Sequence, residues 1–182
     1  FRIWAIGGIF VLTLALLFAV ILNSGIRFKK FFRAVIYMPN VISAVALATM
    51  WIQYVYNPKF GLVTNFYQSV TRVLEMIGLG PFGRINWTDS TYKFWSLLFA
   101  YCFGMVGYHM LIFSSGIEKI PSELYEAATI DGASKPQQFW KVTYPLLHGV
   151  IKTNITMWSI TSVGFFVWSQ LFAMVTADTQ TI

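Results

Sequence analysis

Charge is what this sequence has least of. Charged side chains make up 11% of its 182 residues, against about 25% in an ordinary soluble domain. So few charges cannot cover a water-facing surface, whereas 57% of the residues are hydrophobic. Length alone permits one or two domains; the apolar runs set the class as an integral membrane protein. Cysteine is nearly missing. Cys102, in an apolar run, excludes an intrachain disulfide framework and any multi-cysteine metal site, and it reads as a small packing residue. Catalytic groupings are also missing. There is no P-loop glycine-lysine motif, no H-E-x-x-H and no Ser/His/Asp grouping. His109 and His148 lie far apart in sequence. The chain therefore reads as a non-enzyme that binds no cofactor and no metal itself. Its net charge of +6 would suggest nucleic acid in a soluble domain. Here the cations fall in loops and are expected not to form a face interleaved with exposed aromatics, so no nucleic-acid partner is expected.

What is present is long apolar runs. A bilayer core takes about 20 mostly apolar residues per helix. Four segments meet that length: 3–22, 34–56, 94–116 and 150–172. They are continuous rather than alternating, so strands are excluded and the fold class is all-α, a polytopic transmembrane helical bundle. The first run has only Arg2 before it and its basic cluster after it, which is the wrong order for a signal peptide. The chain starts at Phe1 and stops at Ile182, each close to an apolar run, and is expected to be a piece of a longer subunit, incomplete at both ends. Residues 1–182 are expected to form a single transmembrane domain.

Basic residues orient the spans. Asn23–Arg33 holds Arg27, Lys29, Lys30 and Arg33 with no acid, and the positive-inside rule puts it in the cytoplasm. Alternation then makes the loop 117–149 cytoplasmic and Asn57–Lys93 external. The external loop holds Lys59, Arg72, Arg84 and Lys93 over a longer stretch. Trp51, Tyr54, Tyr56, Trp87, Tyr92 and Trp95 flank it and are expected at headgroup level. Within it, Leu62, Phe66, Val70, Val73 and Ile77 form a helical stripe, predicting a short helix lying on the membrane or on the bundle.

The cytoplasmic loop is the most specific feature. Pro121 suits a first helical turn, and Glu123 and Glu126 follow where the helix dipole favours acids. Ala127 and Ala128 keep the middle thin, and Gly132 can end the helix in a left-handed conformation. Ser134 and Gln137 form the S-x-x-Q pattern of a capping box opening a second helix, with Pro136 in its first turn and Pro145 interrupting before the next span. Two short helices around a glycine, with a small-residue face, suit docking into a partner's groove. An ordinary interfacial connector fits the local pattern equally.

The spacing Glu126-Ala127-Ala128, three residues, Gly132, nine residues, Val142, one residue, Tyr144-Pro145 resembles the EAA signature of binding-protein-dependent ABC transporter permeases. Val142 and Tyr144 stand where that pattern has Ile and Leu, both mild apolar changes. ELYEAATIDGAS, Tyr37-Met38-Pro39, Tyr56-Asn57-Pro58 and Phe60-Gly61-Leu62 are similar to the maltose-type carbohydrate-uptake branch. The resemblance implies about four of six core spans in a multi-pass prokaryotic inner-membrane protein, with a final span after Thr181. It implies that Glu126, Ala127, Ala128, Asp131, Gly132 and Pro145 couple to a separate ATPase, which would bind ATP and Mg. The implied partners are two ATP-binding subunits, a second permease or a second copy of this one, and an extracellular or periplasmic solute-binding protein.

Polar residues inside spans are costly and tend to face the interior or a cavity. Asn40, Gln53, Tyr108, His109, Asn154, Trp158 and Ser162 are the candidates for lining a substrate path, with interhelical hydrogen bonding as the alternative role. No acid or arginine stands mid-span, which fits an uncharged solute such as a sugar. A permease for an amino acid, peptide or phosphate ester is the alternative, and a secondary transporter would show intramembrane charges.

Overall fold

The computed structural model describes residues 2–83, 85–89 and 91–178. Arg84 and Thr181 lie outside the described residues. The helices are α1 (Arg2–Asn23), α2 (Lys29–Val41), α3 (Ala44–Met50), α4 (Leu62–Met76), α5 (Lys93–Ile117), α6 (Ser122–Ile130), α7 (Lys135–Gln138), α8 (Tyr144–Leu146), α9 (His148–Ser162) and α10 (Phe165–Asp178). Two π-helical turns, Trp51–Val55 and Phe139–Thr143, extend α3 and α7. Among the described residues α1, α5 and the stretch His148–Ala173 are each long and apolar enough to cross a membrane, and α2 with the α3 segment is a fourth if the broken pair is one span.

The chain divides into two compact units. The first, Phe1–Val41 with Cys102–Val163, holds α1, α2, most of α5, α6 to α8 and α9. α1 buries Gly7, Gly8, Val11, Ala15, Ala19 and Leu22 along one stripe and leaves Ile9 and Leu17 exposed on the other side. Small residues on the buried stripe let α9 approach closely, as suits helices that gain nothing from exchanging lipid for another apolar neighbour. At Gly8 an added Cβ would stand 2.6 Å from the Trp158 indole nitrogen. α2 meets α5 in the same way. A Cβ on Gly107 would collide with the Ile36 carbonyl oxygen and lie 2.7 Å from the Tyr37 Cα.

The second unit, Ile42–Tyr101 with Gly164–Ile182, is built on rings. Tyr101 takes Phe165 and Trp168 edge-on at 5.2 and 5.8 Å. Trp51 packs on Tyr56 and Phe99, and the Tyr56 hydroxyl donates to the Ser96 carbonyl at 2.9 Å. Trp51 and Tyr56 are therefore core residues rather than members of a headgroup belt, whereas Tyr54 and Trp95 are exposed. α4 turns Thr64 and Thr71 inward and exposes Leu62, Phe66, Val73 and Ile77. The threonines can be the buried face because their hydroxyls donate locally, Thr64 to the Asn57 carbonyl and Thr71 to the Tyr67 carbonyl, both at 2.9 Å.

The structure bears on three sequence expectations. The span expected over 34–56 is not one helix: α2 already starts at Lys29 and ends at Val41, and Ser43 accepts the Ala46 N–H to cap α3 afresh. The span expected over 150–172 falls inside the stretch His148–Ala173, which crosses as one candidate span with a short break between Ser162 and Phe165 at Gly164. The interruption expected at Pro145 takes the form of a π turn and the short α8 ahead of α9. The proline ring would clash with the carbonyl four residues back. The π turn accommodates it: the Tyr144 N–H bonds the Phe139 carbonyl, five residues back, and helix resumes through α8.

Candidate functional site

The α6–α7 hairpin is closed by its own chemistry. Pro121 stands as N-cap of α6, with Glu123 in the first turn. At the other end Gly132 adopts φ +76°, and the chain closes a Schellman motif. In it the Ala133 N–H bonds the Ala128 carbonyl at 2.9 Å and the Gly132 N–H bonds the Thr129 carbonyl at 3.0 Å. Ser134 then opens α7, its backbone N–H donating to Gln137 Oε1 at 2.7 Å. The glycine stop and the Gln137 half of the capping box stand where the sequence predicts them.

Sequence reading missed the residue that holds the two helices together. Gln138 is buried, and its amide donates to Thr129 Oγ1 (2.9 Å) and to the Ala133 carbonyl (3.1 Å). Tyr125 and Thr143 share a second hydrogen bond at 2.9 Å. The local capping pattern picks out Gln137, and nothing local marks Gln138 as the buried one. With the hairpin fastened from inside, its outer surface is free: Glu126, Ala127, Asp131, Gly132 and Pro145 are exposed, Ala128 is half-buried, and Ile130 is 87% exposed.

At the root of the hairpin Glu118 receives Lys29 Nζ at 2.8 Å and Arg33 Nη2 at 2.6 Å. Arg33 also donates to Ser114 Oγ, which accepts from Asn23 as well. The hydrogen bonds from Lys29 and then Arg33 hold the Glu118 carboxyl below its ordinary value. The basic segment after α1 and the loop after α5 thus meet at one end of the first unit, as alternation requires.

The candidate path residues fall into two groups. Asn40 donates to the Gly104 carbonyl at 3.3 Å, and Ser162 to the Ser159 carbonyl at 2.9 Å. His109 Nδ1–H donates to Asn154 Oδ1 at 2.8 Å, both fully buried, with His109 Nε2 unpartnered. Trp158 donates to the Trp4 carbonyl at 2.8 Å, and Trp4 donates to Ser159. These groups bond helix to helix or close a turn. Gln53 is exposed, and Tyr108 is half-buried with its ring edge-on to His109 at 5.2 Å.

Residues 11–181 match the model of the family described as binding-protein-dependent transport system inner membrane component. The chain belongs to that family. As an inner-membrane component it is a multi-pass membrane protein of a transport system. It is 37% identical over 119 residues to the probable ABC transporter permease protein YurN of Bacillus subtilis, covering 65% of this chain and 38% of that protein. It is 30% identical over 147 residues to the diacetylchitobiose uptake system permease protein NgcF of Streptomyces coelicolor, covering 80% of this chain and 39% of that protein. The chain thus spans under half the length of these curated relatives. Its fold matches a chain from the crystal structure of a bacterial ABC transporter that imports the acidic polysaccharide alginate. The TM-score is 0.72 at 21% identity, over 88% of this chain and 54% of the other.

Proposed function

We propose that this inner-membrane component is the translocation subunit of an ATP-driven importer for a mono- or oligosaccharide, and that the α6–α7 hairpin docks its ATPase. The observation that carries the reading is the hairpin itself. It is internally bonded through Gln138 and outwardly exposed along Glu126, Ala127, Asp131 and Gly132, so its free surface is preshaped for a groove. ATP and Mg bind the two ATPase subunits, and this chain contributes no catalytic group. A second permease, or a second copy of this one, completes the pathway, and a solute-binding protein delivers the cargo. Closure of the ATPases draws the hairpins together and rocks the spans between inward-open and outward-open forms.

The sugar assignment draws on the relative that serves diacetylchitobiose uptake and on the lack of acid or arginine in the middle of the spans. Of the path candidates, Gln53 and Tyr108 fit contact with a solute best, because Asn40, Asn154, Trp158 and Ser162 already spend hydrogen bonds on the protein. Glu126→Ala and Gly132→Val in the full transporter are expected to abolish uptake and substrate-stimulated ATP hydrolysis while membrane insertion is unchanged. Uptake surviving both substitutions would sink the coupling role. The ligand of the copurified binding protein then decides between sugar and a peptide, amino acid or phosphate ester.

A further inference from the structure

The segment that begins α2 departs from the expectation that no cations alternate with exposed aromatics. Residues 26–33 read Ile-Arg-Phe-Lys-Lys-Phe-Phe-Arg. Lys29 and Arg33 turn inward and share Glu118. Arg27 and Lys30 are exposed, and no acid occurs between Asn23 and Arg33. Between these two cations stands Phe28, 78% exposed, followed by Phe31 at 63% and Phe32 at 44%. Their apolar face continues up α2 through Val35, 46% exposed, and Met38, 59% exposed.

Phe28 is also strained. Its φ is +64°, a conformation that bulky residues rarely adopt. Its carbonyl accepts the N–H groups of Phe31 and Phe32 at 2.9 and 3.2 Å and so starts α2, a place where Ser, Thr, Asp or Asn is the usual choice. Strain of this kind persists where the surroundings compensate it, and a ring left 78% in the open receives little compensation from the chain itself.

We propose that Arg27, Phe28, Lys30 and Phe31 form a binding site for an anionic phospholipid in the leaflet at the basic end of the first unit. These two exposed cations hold the headgroup phosphate. The rings and the apolar face of α2 lie against the glycerol and upper acyl chain, where amphipathic and aromatic groups settle. A soluble anion has no use for the contiguous apolar face, and with Glu118 shared by Lys29 and Arg33, Arg27 and Lys30 leave a net positive field. Lys29 and Arg33 stay on Glu118, so this site is separate from the bonds that join the two loops. The inference does not depend on the cargo.

The test uses the full transporter in nanodiscs of equal parts phosphatidylcholine and phosphatidylglycerol, with retained lipids counted by native mass spectrometry after transfer to detergent. The wild type is expected to retain phosphatidylglycerol over phosphatidylcholine. Arg27→Gln with Lys30→Gln is expected to cut that preference about tenfold, and Phe28→Ser to weaken retention of both lipids. The charge-conserving pair Arg27→Lys with Lys30→Arg is expected to keep the preference, which separates charge from misfolding. Equal retention of the two lipids by the wild type overturns the proposal, as does an unchanged preference in the double Gln variant or a lost one in the charge-conserving pair. If the Gln variant keeps its phosphatidylglycerol but sheds the ATPase subunits, the patch is a protein contact and the proposal is again overturned.

Discussion

Glu118 shows how much one acid does in a chain with so few. It is the ion-pair partner of both Lys29 and Arg33, and its carboxyl titrates below its ordinary value. The stabilisation is present above the unfolded value and fades as pH falls through the folded one. Because the carboxylate is 43% exposed, solvent screening limits the gain to under about 1 kcal/mol. Glu118→Gln is expected to lower the thermal midpoint of the detergent-purified permease slightly at pH 7, with the gap to wild type closing in acid below the ordinary glutamate range. A gap that is constant with pH would show that the pairs contribute nothing. Buried polar groups obey a stricter rule. Asn154→Leu removes the partner of His109 Nδ1 where both side chains are fully buried, and an unsatisfied buried group costs about 1–3 kcal/mol. The loss is read as a lower melting midpoint.

Among the elements, the α6–α7 hairpin and the α2–α5 seam make opposite demands on their glycines. Gly132 has open space around it and needs the left-handed backbone; a β-branched residue there costs about 1–2 kcal/mol. Gly107 has ordinary helical backbone, but no room beside Ile36 and Tyr37. Gly107→Ala pushes backbone against backbone and is expected to destabilise by about 1–3 kcal/mol, seen as faster hydrogen exchange across 29–41. Gln138→Leu is expected to leave α6 formed but to raise exchange through 129–138, because it removes two of the bonds that close the hairpin. Gly132 was visible in the sequence because helix stops follow local backbone rules. Gly107 and Gln138 were not, because each acts on a residue brought near by packing or by a turn.

For the whole molecule, the family makes the chain an inner-membrane component of a binding-protein-dependent transport system. The long apolar runs and the basic loop were legible at once, since membrane insertion depends on composition over about 20 residues and on charge bias. The ends of the second span were not. Lys29–Arg33 looked like loop because it is charged, yet it is helical, since two of its cations find Glu118 across the unit. Trp51 and Tyr56 resembled interface aromatics and are instead packed on each other and on Phe99.

The sequence by itself determined the membrane class, the glycine-hinged hairpin and the family, because each is written in local composition or in fixed spacing. Only the tertiary structure decided which polar side chains are spent. Asn40, His109, Asn154 and Trp158 bond to other helices, Lys29 and Arg33 close on Glu118, and Arg27 and Lys30 are left exposed. A hydrogen-bond partner tens of residues away leaves no mark in the residues around either group, so satisfaction of buried polarity could be known only once the helices were packed.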